Sequence, residues 1–313
     1  MRDPLDEAAL PRTGLRIRRL ALGTAPLASI FWGNDSDTAV RTVSRALELG
    51  IGFFDTAPFY GLGEAERRLG QALAGAGGER PVIATKAGRI LTDRPDGSVD
   101  VHFDFGYDAA RQSLESSLER LGVDRVGIVH VHDPDDHILE ALEGTYRALV
   151  ALRDEGVISA VSLGTNSVRT AAAFLERADL DCMLVAGRYT LLDRSAADLI
   201  DACAERGVAY LAAGVFNSGV LARPRAGAWY DYGPASDETL ARAAAIDSVC
   251  RRHGVTLRAA AVSFPLTNPS VASVIVGMAT PAEVDENLAD LRSPVPDDLW
   301  LELREGPLGG GPR

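Results

Sequence analysis

Short apolar runs recur along the chain about every thirty residues, the size of a βα unit, with helix-spaced stretches between them. The first run, LALG at 20–23, is broken by Thr24-Ala25-Pro26. Asp37 is placed to cap a helix with Val40, Val43 and Leu47 on one face and Gly50 at its close. Residues 51–55 (IGFFD) read as a buried strand, 64–74 as a helix and 81–86 (PVIATK) as the next strand. The stretch 87–106, with Gly88, Pro95 and Gly97, reads as a long irregular loop of the lid or binding kind. Asp108 then opens a helix with Leu114, Leu118 and Leu121 on one face. Strands at 126–131, 157–163, 181–186 and 208–213 alternate with helices at 137–155, 167–177 and 195–206. A second long loop runs to Pro234, helices follow at 237–252 and 256–264, and strand 271–276 and helix 281–291 end the series. Eight strands alternating with helices, without a polar linker, predict an α/β chain closed as a (β/α)₈ TIM barrel in one domain over 1–313. Mobile ends are expected near 1–14 and 303–313. The rival, an open doubly wound sheet, would carry G-x-G-x-x-G after its first strand, where Gly23-Thr24-Ala25-Pro26 stands instead.

Composition narrows the partners. Apolar residues make up 46% of the 313 positions, ample for a core, and the net charge is −12 without a basic patch. That balance argues against nucleic acid and against an anionic membrane surface. No apolar run is long enough to span a bilayer, and the polar, acid-bearing start lacks the core of a signal peptide, so a cytoplasmic protein is expected. Cys182, Cys203 and Cys250 are scattered without CxxC spacing, and read as buried thiols rather than disulfide partners or zinc ligands.

The chemistry gathers at strand ends. Three consecutive strands finish at or beside ionisable residues, Asp55, Lys86 and His132, and Tyr60 lies in the first of the loops that follow. In a barrel those ends converge over one mouth. A tyrosine hydroxyl of ordinary pKa, about 10, exchanges protons poorly at neutral pH, and an ammonium beside it favours the phenolate. Lys86 is expected in that role, Asp55 as its ion-pair partner, and His132 as a hydrogen-bond donor to the same substrate oxygen. Without a nucleophile or a metal cluster, such a site suits proton exchange at an alcohol or carbonyl coupled to hydride transfer with a nicotinamide. His130, two residues earlier on the same strand face, lies one layer deeper and is assigned a supporting role.

The stretch DTAPFYGLGEAERRLG from Asp55, TK at 85–86, HDPDD at 132–136 and SVIVGMATPAEVDENL at 273–288 together resemble the aldo-keto reductase family over about 20–291. The resemblance implies a (β/α)₈ barrel, a nicotinamide cofactor held without a Rossmann domain, and a catalytic tetrad on Asp55, Tyr60, Lys86 and His132. It further implies cofactor contacts from Gly23, Thr24, Asp55, Asn166, Phe216, Asn217, Ser218, Gly219, Gly277, Thr280, Glu283 and Asn287, with Tyr189 as the aromatic beside the nicotinamide.

Two departures from the family pattern matter. Positions that grip the 2′-phosphate of NADP in many members are here Gly277 and Glu283, and a carboxylate there would repel a phosphate and accept from ribose hydroxyls. NAD is therefore expected over NADP. The usual glutamine that binds the nicotinamide amide is replaced by Ala186. AGRYTLLDRS at 186–195, FNSGVLA at 216–222 and WYDYGPAS at 229–236 resemble the branch with L-fucose dehydrogenase, D-threo-aldose 1-dehydrogenase and pyridoxal 4-dehydrogenase. That likeness implies oxidation of a small aldose such as L-fucose or D-arabinose at C1 to the lactone. Trp32, Phe59, Tyr60, His132, Trp229 and Tyr230, with Tyr232, are the expected substrate wall, since sugar C–H faces pack on aromatic rings. Alternatives are reduction of small aldehydes or ketones with NAD(P)H, pyridoxal oxidation, or a binding protein that senses the cofactor.

Overall fold

Eight short strands pair in parallel and close on themselves in this computed structural model, which describes residues 3–28 and 35–306. They are β1 (Leu20–Gly23), β2 (Phe53–Asp55), β3 (Val82–Ala87), β4 (Val126–His132), β5 (Ile158–Thr165), β6 (Cys182–Ala186), β7 (Ala209–Ala213) and β8 (Val271–Gly277). Each pairs with its successor and β8 pairs with β1, so the expected (β/α)₈ barrel is the observed architecture. Strand alternation sorts the side chains. Leu22, Phe54, Ile83, Val129 and Val161 face the surrounding helices in the larger apolar shell. Ala21, Phe53, Ala84, Ile128, Ala160, Leu184 and Leu211 face inward, small beside large, and fill the barrel.

Two residues further along β2 and β3 from Phe53 and Ala84, the inward positions turn polar, to Asp55 and Lys86. Register places Lys86 beside His130, His130 beside Ser162, and Ser162 beside Cys182. The barrel therefore carries an apolar lower layer and a polar upper one, and the upper layer lies at the carboxyl ends of the strands.

Regular elements reach into both terminal segments of the described residues. Glu7–Ala9 pairs antiparallel with Arg16–Arg18, and Leu10 and Ile17 bury fully against the inward-facing core, closing the end of the barrel away from the polar layer. Asp297–Glu305 is a helix that seats Leu299, Trp300 and Leu303 in a second apolar cluster; 307–313 lie outside the described residues. The stretch 87–106 is not irregular: Arg89–Asp93 and Val99–Phe103 form an antiparallel hairpin. Its turn is made by Gly97, at φ 83°, and by Asp96, whose carboxylate accepts from the Ser98 N–H. The helix at 36–48 is capped by Asp35, not Asp37, and the helix Tyr107–Leu121 starts after Gly106 with Asp108 in its first turn. The expected helix 137–155 is two, Ile138–Glu143 and Thr145–Asp154. They break at Gly144 because the Phe105 carbonyl passes there: a Cβ would lie 2.1 Å from that oxygen, which accepts from the Thr145 N–H at 2.7 Å. Among the described residues no helix is long and apolar enough to cross a membrane.

Candidate active site

The upper layer of the barrel holds a buried ion pair. Lys86 Nζ donates to Asp55 Oδ1 at 2.6 Å and to the Thr56 carbonyl at 2.8 Å. After β2 the chain turns so that Tyr60 comes back over the mouth. Gly61, Leu62 and Gly63 all take left-handed φ, and lead straight into the helix Glu64–Ala74. A Cβ at Gly61 would lie 2.5 Å from that of Ala28, so the turn needs glycine there. Lys86 Nζ lies 5.0 Å from the centre of the Tyr60 ring, and the His132 ring meets Tyr60 edge-on at 6.3 Å. Asp55, Tyr60, Lys86 and His132 thus meet at one rim.

Below them, His130 is fully buried. Its Nε2 stands 3.3 Å from Asp55 Oδ2, and its Nδ1 is 2.8 Å from Ser162 Oγ. Burial alone would raise the Asp55 pKa, but Lys86 and His130 outweigh it and hold the carboxyl below its usual range. Burial likewise pushes His130 down, with Asp55 opposing. His132 is held well below the usual histidine value, first by burial and then by the positive charges of Lys86 and Arg89, so it is neutral at physiological pH. Its Nδ1 is buried without a partner, which favours the tautomer with the proton on Nε2.

Tyr60 behaves differently from expectation. Its hydroxyl is pushed well above the ordinary tyrosine value, first by loss of solvent and then by the negative charge of Asp55. Lys86 is too well matched to Asp55 to act as a lone cation, and its hydrogen bonds go to Asp55 and Thr56, none to Tyr60. The resting phenol is a neutral donor rather than a phenolate.

The hairpin 89–103 folds over this mouth and brings Arg89 and Phe103, which the sequence did not single out. The Arg89 guanidinium lies over Phe59 at 4.4 Å and Phe103 at 5.2 Å, and is ion-paired with Asp133. Asp133 Oδ2 is 3.5 Å from His132 Nε2, and Asp133 holds φ 46°, a conformation costly for a residue other than glycine. Tyr232 approaches from the other side. It too is left-handed, at φ 64°, its N–H donates to Ser218 Oγ at 3.0 Å, and its hydroxyl bears electrostatically on Tyr60. Trp229 lines a neighbouring cleft instead, and Tyr230 packs on the second apolar cluster, so among the described residues Phe59 and Tyr232, of the expected flanking aromatics, stand at the mouth. Trp32 lies outside the described residues.

That cleft has a volume of about 610 Å³ and is lined by Ser218, Gly219, Arg223, Arg225, Trp229, Arg258, Thr280, Glu283 and Glu286, among others. Arg223 and Arg225 are exposed and have no ion-pair partner among the described residues, a lining suited to the phosphates of a dinucleotide. The loop entering it is strained: Asn217 at φ 45° and Ser218 at φ 57° precede Gly219 at φ 100°. Phe216 lies under the Arg258 guanidinium at 5.2 Å. Thr24 Oγ1 and Asn217 Oδ1 are buried without partners, and Asn217 Nδ2 donates to the Gly187 carbonyl, next to Ala186. Asn166 does not cap the following helix, a role taken by Ser167. Gly23 and Gly277 pair across β1 and β8, and a Cβ at Gly277 would lie 2.9 Å from Pro26.

Three expected cofactor residues carry structural duties as well. Thr280 caps the helix Pro281–Arg292, and Glu283 accepts from the Ala279 N–H at 2.7 Å. Asn287 is buried, bonded to Arg258 and to the Glu283 carbonyl. Tyr189 is placed away from the mouth. Gly187, at φ 74°, and Arg188, held on the Asn166 carbonyl and on Asp231, turn it outward, and its ring packs on Phe264 at 5.2 Å.

The arrangement has known counterparts. Residues 19–305 match the model of the aldo/keto reductase family. The chain is 39% identical to D-threo-aldose 1-dehydrogenase of Pseudomonas sp, over 96% of this chain and 98% of that one. It is 37% identical to pyridoxal 4-dehydrogenase of Microbacterium luteolum, over 96% of each. The solved structure of glycerol dehydrogenase from Gluconobacter oxydans superposes with a TM-score of 0.78, covering 96% of this chain and 94% of that one; at 24% identity the likeness is one of fold. A match over nearly the whole chain, on a barrel whose mouth gathers a tyrosine, a paired lysine and a histidine, makes this protein a member of the aldo/keto reductase family, an NAD(P)-dependent oxidoreductase.

Proposed function

We propose that the enzyme oxidises a small aldose at C1 to the lactone and prefers NAD. The observation that carries this reading is the meeting of Tyr60, His132 and the Lys86–Asp55 pair at one rim, in a chain most of whose length matches an aldose 1-dehydrogenase. Tyr60 takes the proton of the C1 hydroxyl. His132, through Nε2–H, holds the same oxygen as it becomes a carbonyl. Lys86 and Asp55 keep the rim beneath Tyr60 rigid and electrically balanced. Arg223, Arg225 and the loop at Ser218 would hold the phosphates of a nicotinamide coenzyme, which would supply the hydride acceptor. NADH formation with a panel of aldoses and with pyridoxal tests the substrate class; formation with pyridoxal alone overturns it.

The coenzyme preference follows from charge. Glu283 and Glu286 line the cleft beside Thr280, where a 2′-phosphate would meet two carboxylates. Steady-state kinetics with both coenzymes should give the lower KM for NAD. A lower KM for NADP at equal kcat would contradict it.

The protonation of Tyr60 favours a second direction at neutral pH. A neutral phenol is the right group to donate to a carbonyl oxygen, so reduction needs no titration, whereas oxidation needs the phenolate. Oxidation should therefore rise about tenfold per pH unit above pH 7, while reduction stays flat over the same range. His132, neutral throughout, contributes no break near its usual pKa. An oxidation profile that levels off below pH 8 would show that the phenol is not raised.

A further inference from the structure

We infer that Asp133 and Arg89 form a hydroxyl-reading pair, which selects carbonyl or hemiacetal substrates bearing a hydroxyl on the carbon next to the reacting one. The inference rests on the reading of the substrate as an oxygen-rich small molecule, and deepens it.

Position comes first. His132 Nε2 is the donor to the reacting oxygen, and the Asp133 carboxylate lies 3.5 Å from that nitrogen. An oxygen on the neighbouring carbon stands about one hydrogen-bond length from the reacting oxygen, so it can reach the Asp133 carboxylate while His132 holds the reacting oxygen. The vacancies of the pair come next. Oδ2 of Asp133 is engaged by Arg89, but Oδ1 accepts no hydrogen bond among the described residues. Arg89 spends Nη2 on Asp133; its Nε is buried without a partner, and its Nη1 has none among the described residues. An unengaged acceptor, Oδ1, beside an unengaged donor, Nη1, matches a hydroxyl, the one small group that donates and accepts at once. A methylene or a methyl at that place would cover Oδ1 and Nη1 without bonding them, which is the costly case for specificity.

The pair is also held in place. Arg89 is clamped between Phe59 and Phe103, and Asp133 keeps its left-handed backbone with its N–H on the Gly164 carbonyl at 2.9 Å. Burial raises the Asp133 carboxyl above its usual range, and the Arg89 guanidinium opposes that in part.

Glyceraldehyde and propanal differ in the C2 and C3 hydroxyls and share the aldehyde. Their reduction with NADH tests the pair whichever direction the enzyme favours, and independently of the aldose reading. Wild type should show the higher kcat/KM for glyceraldehyde. Asp133→Asn tolerates the left-handed backbone and keeps the shape while removing the charge. It should lose about 10- to 100-fold more on glyceraldehyde than on propanal, mainly through KM. Equal losses on both aldehydes would mean that Asp133 acts only through His132, and would overturn the inference. So would a wild type that does not distinguish them. Failure of the aldose panel with an intact glyceraldehyde preference would count against the aldose reading alone.

Discussion

Tyr60→Phe is expected to lower kcat about 10³-fold in both directions while leaving coenzyme affinity within about twofold. The hydroxyl is the one group at the rim placed to exchange a proton with the reacting oxygen; His132, neutral and with Nδ1 buried, can hold that oxygen but cannot take its proton and remain a donor. The ring stays in the variant, so its edge-on contact with His132 and its place 5.0 Å from Lys86 survive. Coenzyme titration followed by protein fluorescence, beside turnover, separates the two effects. Retained turnover would rule out Tyr60 as the proton carrier. Lost coenzyme binding would point instead to a collapsed loop at 59–63.

Lys86→Met should produce the largest loss of stability of any single change at the site. Lys86 and Asp55 are each no more than 5% exposed, and removing one partner leaves the other charged without solvent. Such losses run to about 3–5 kcal/mol, whereas removing both charges together is far milder. The double change Lys86→Met with Asp55→Asn should therefore melt above the single Lys86→Met, although both are inactive. The acid limb gives a second check. The Asp55 pKa is lowered on folding, so its contribution is present above the ordinary carboxylate pKa and is lost as pH falls through the folded value. The stability gap between wild type and the double variant should be constant near neutrality and shrink only in acid. A single variant as stable as the double one would mean that Asp55 is protonated in the native state.

The two experiments bear on different parts of one device. The Lys86–Asp55 pair, with His130 and Ser162 beneath it, is a platform of two opposed charges: the lysine bears on His132, and Tyr60 feels the carboxylate of Asp55. Tyr60 therefore sits as a neutral acid until pH or a bound cation changes its surroundings. The expected consequence is reduction of carbonyls at neutral pH and oxidation of alcohols in base by the same four residues.

Much of this was legible in the chain itself. Apolar runs that stop at or beside ionisable residues put Asp55, Lys86 and His132 at carboxyl ends, and the thirty-residue period of a closed barrel brought those ends to one mouth. The depth of His130 also followed from parity alone. The hairpin at 89–103 was hidden because its alternation runs through polar residues, R-I-L-T-D against V-D-V-H-F. Arg89 and Asp133 lie 44 residues apart, and no periodicity joins a hairpin residue to a strand-end residue. Tyr189 was expected beside the nicotinamide from the family resemblance alone; in the structure its ring packs on Phe264 after the turn at Gly187 and Arg188.

The sequence by itself determined the barrel, the order of its strands and the identity of the groups at the rim, because those depend on local period and on which face a residue takes. Only the tertiary structure decided their protonation and their company. The Tyr60 pKa is a sum over solvent lost and charges gathered from distant segments, and the Arg89–Asp133 pair exists only once the hairpin has folded back over the mouth. Neither quantity is carried by any one stretch of chain.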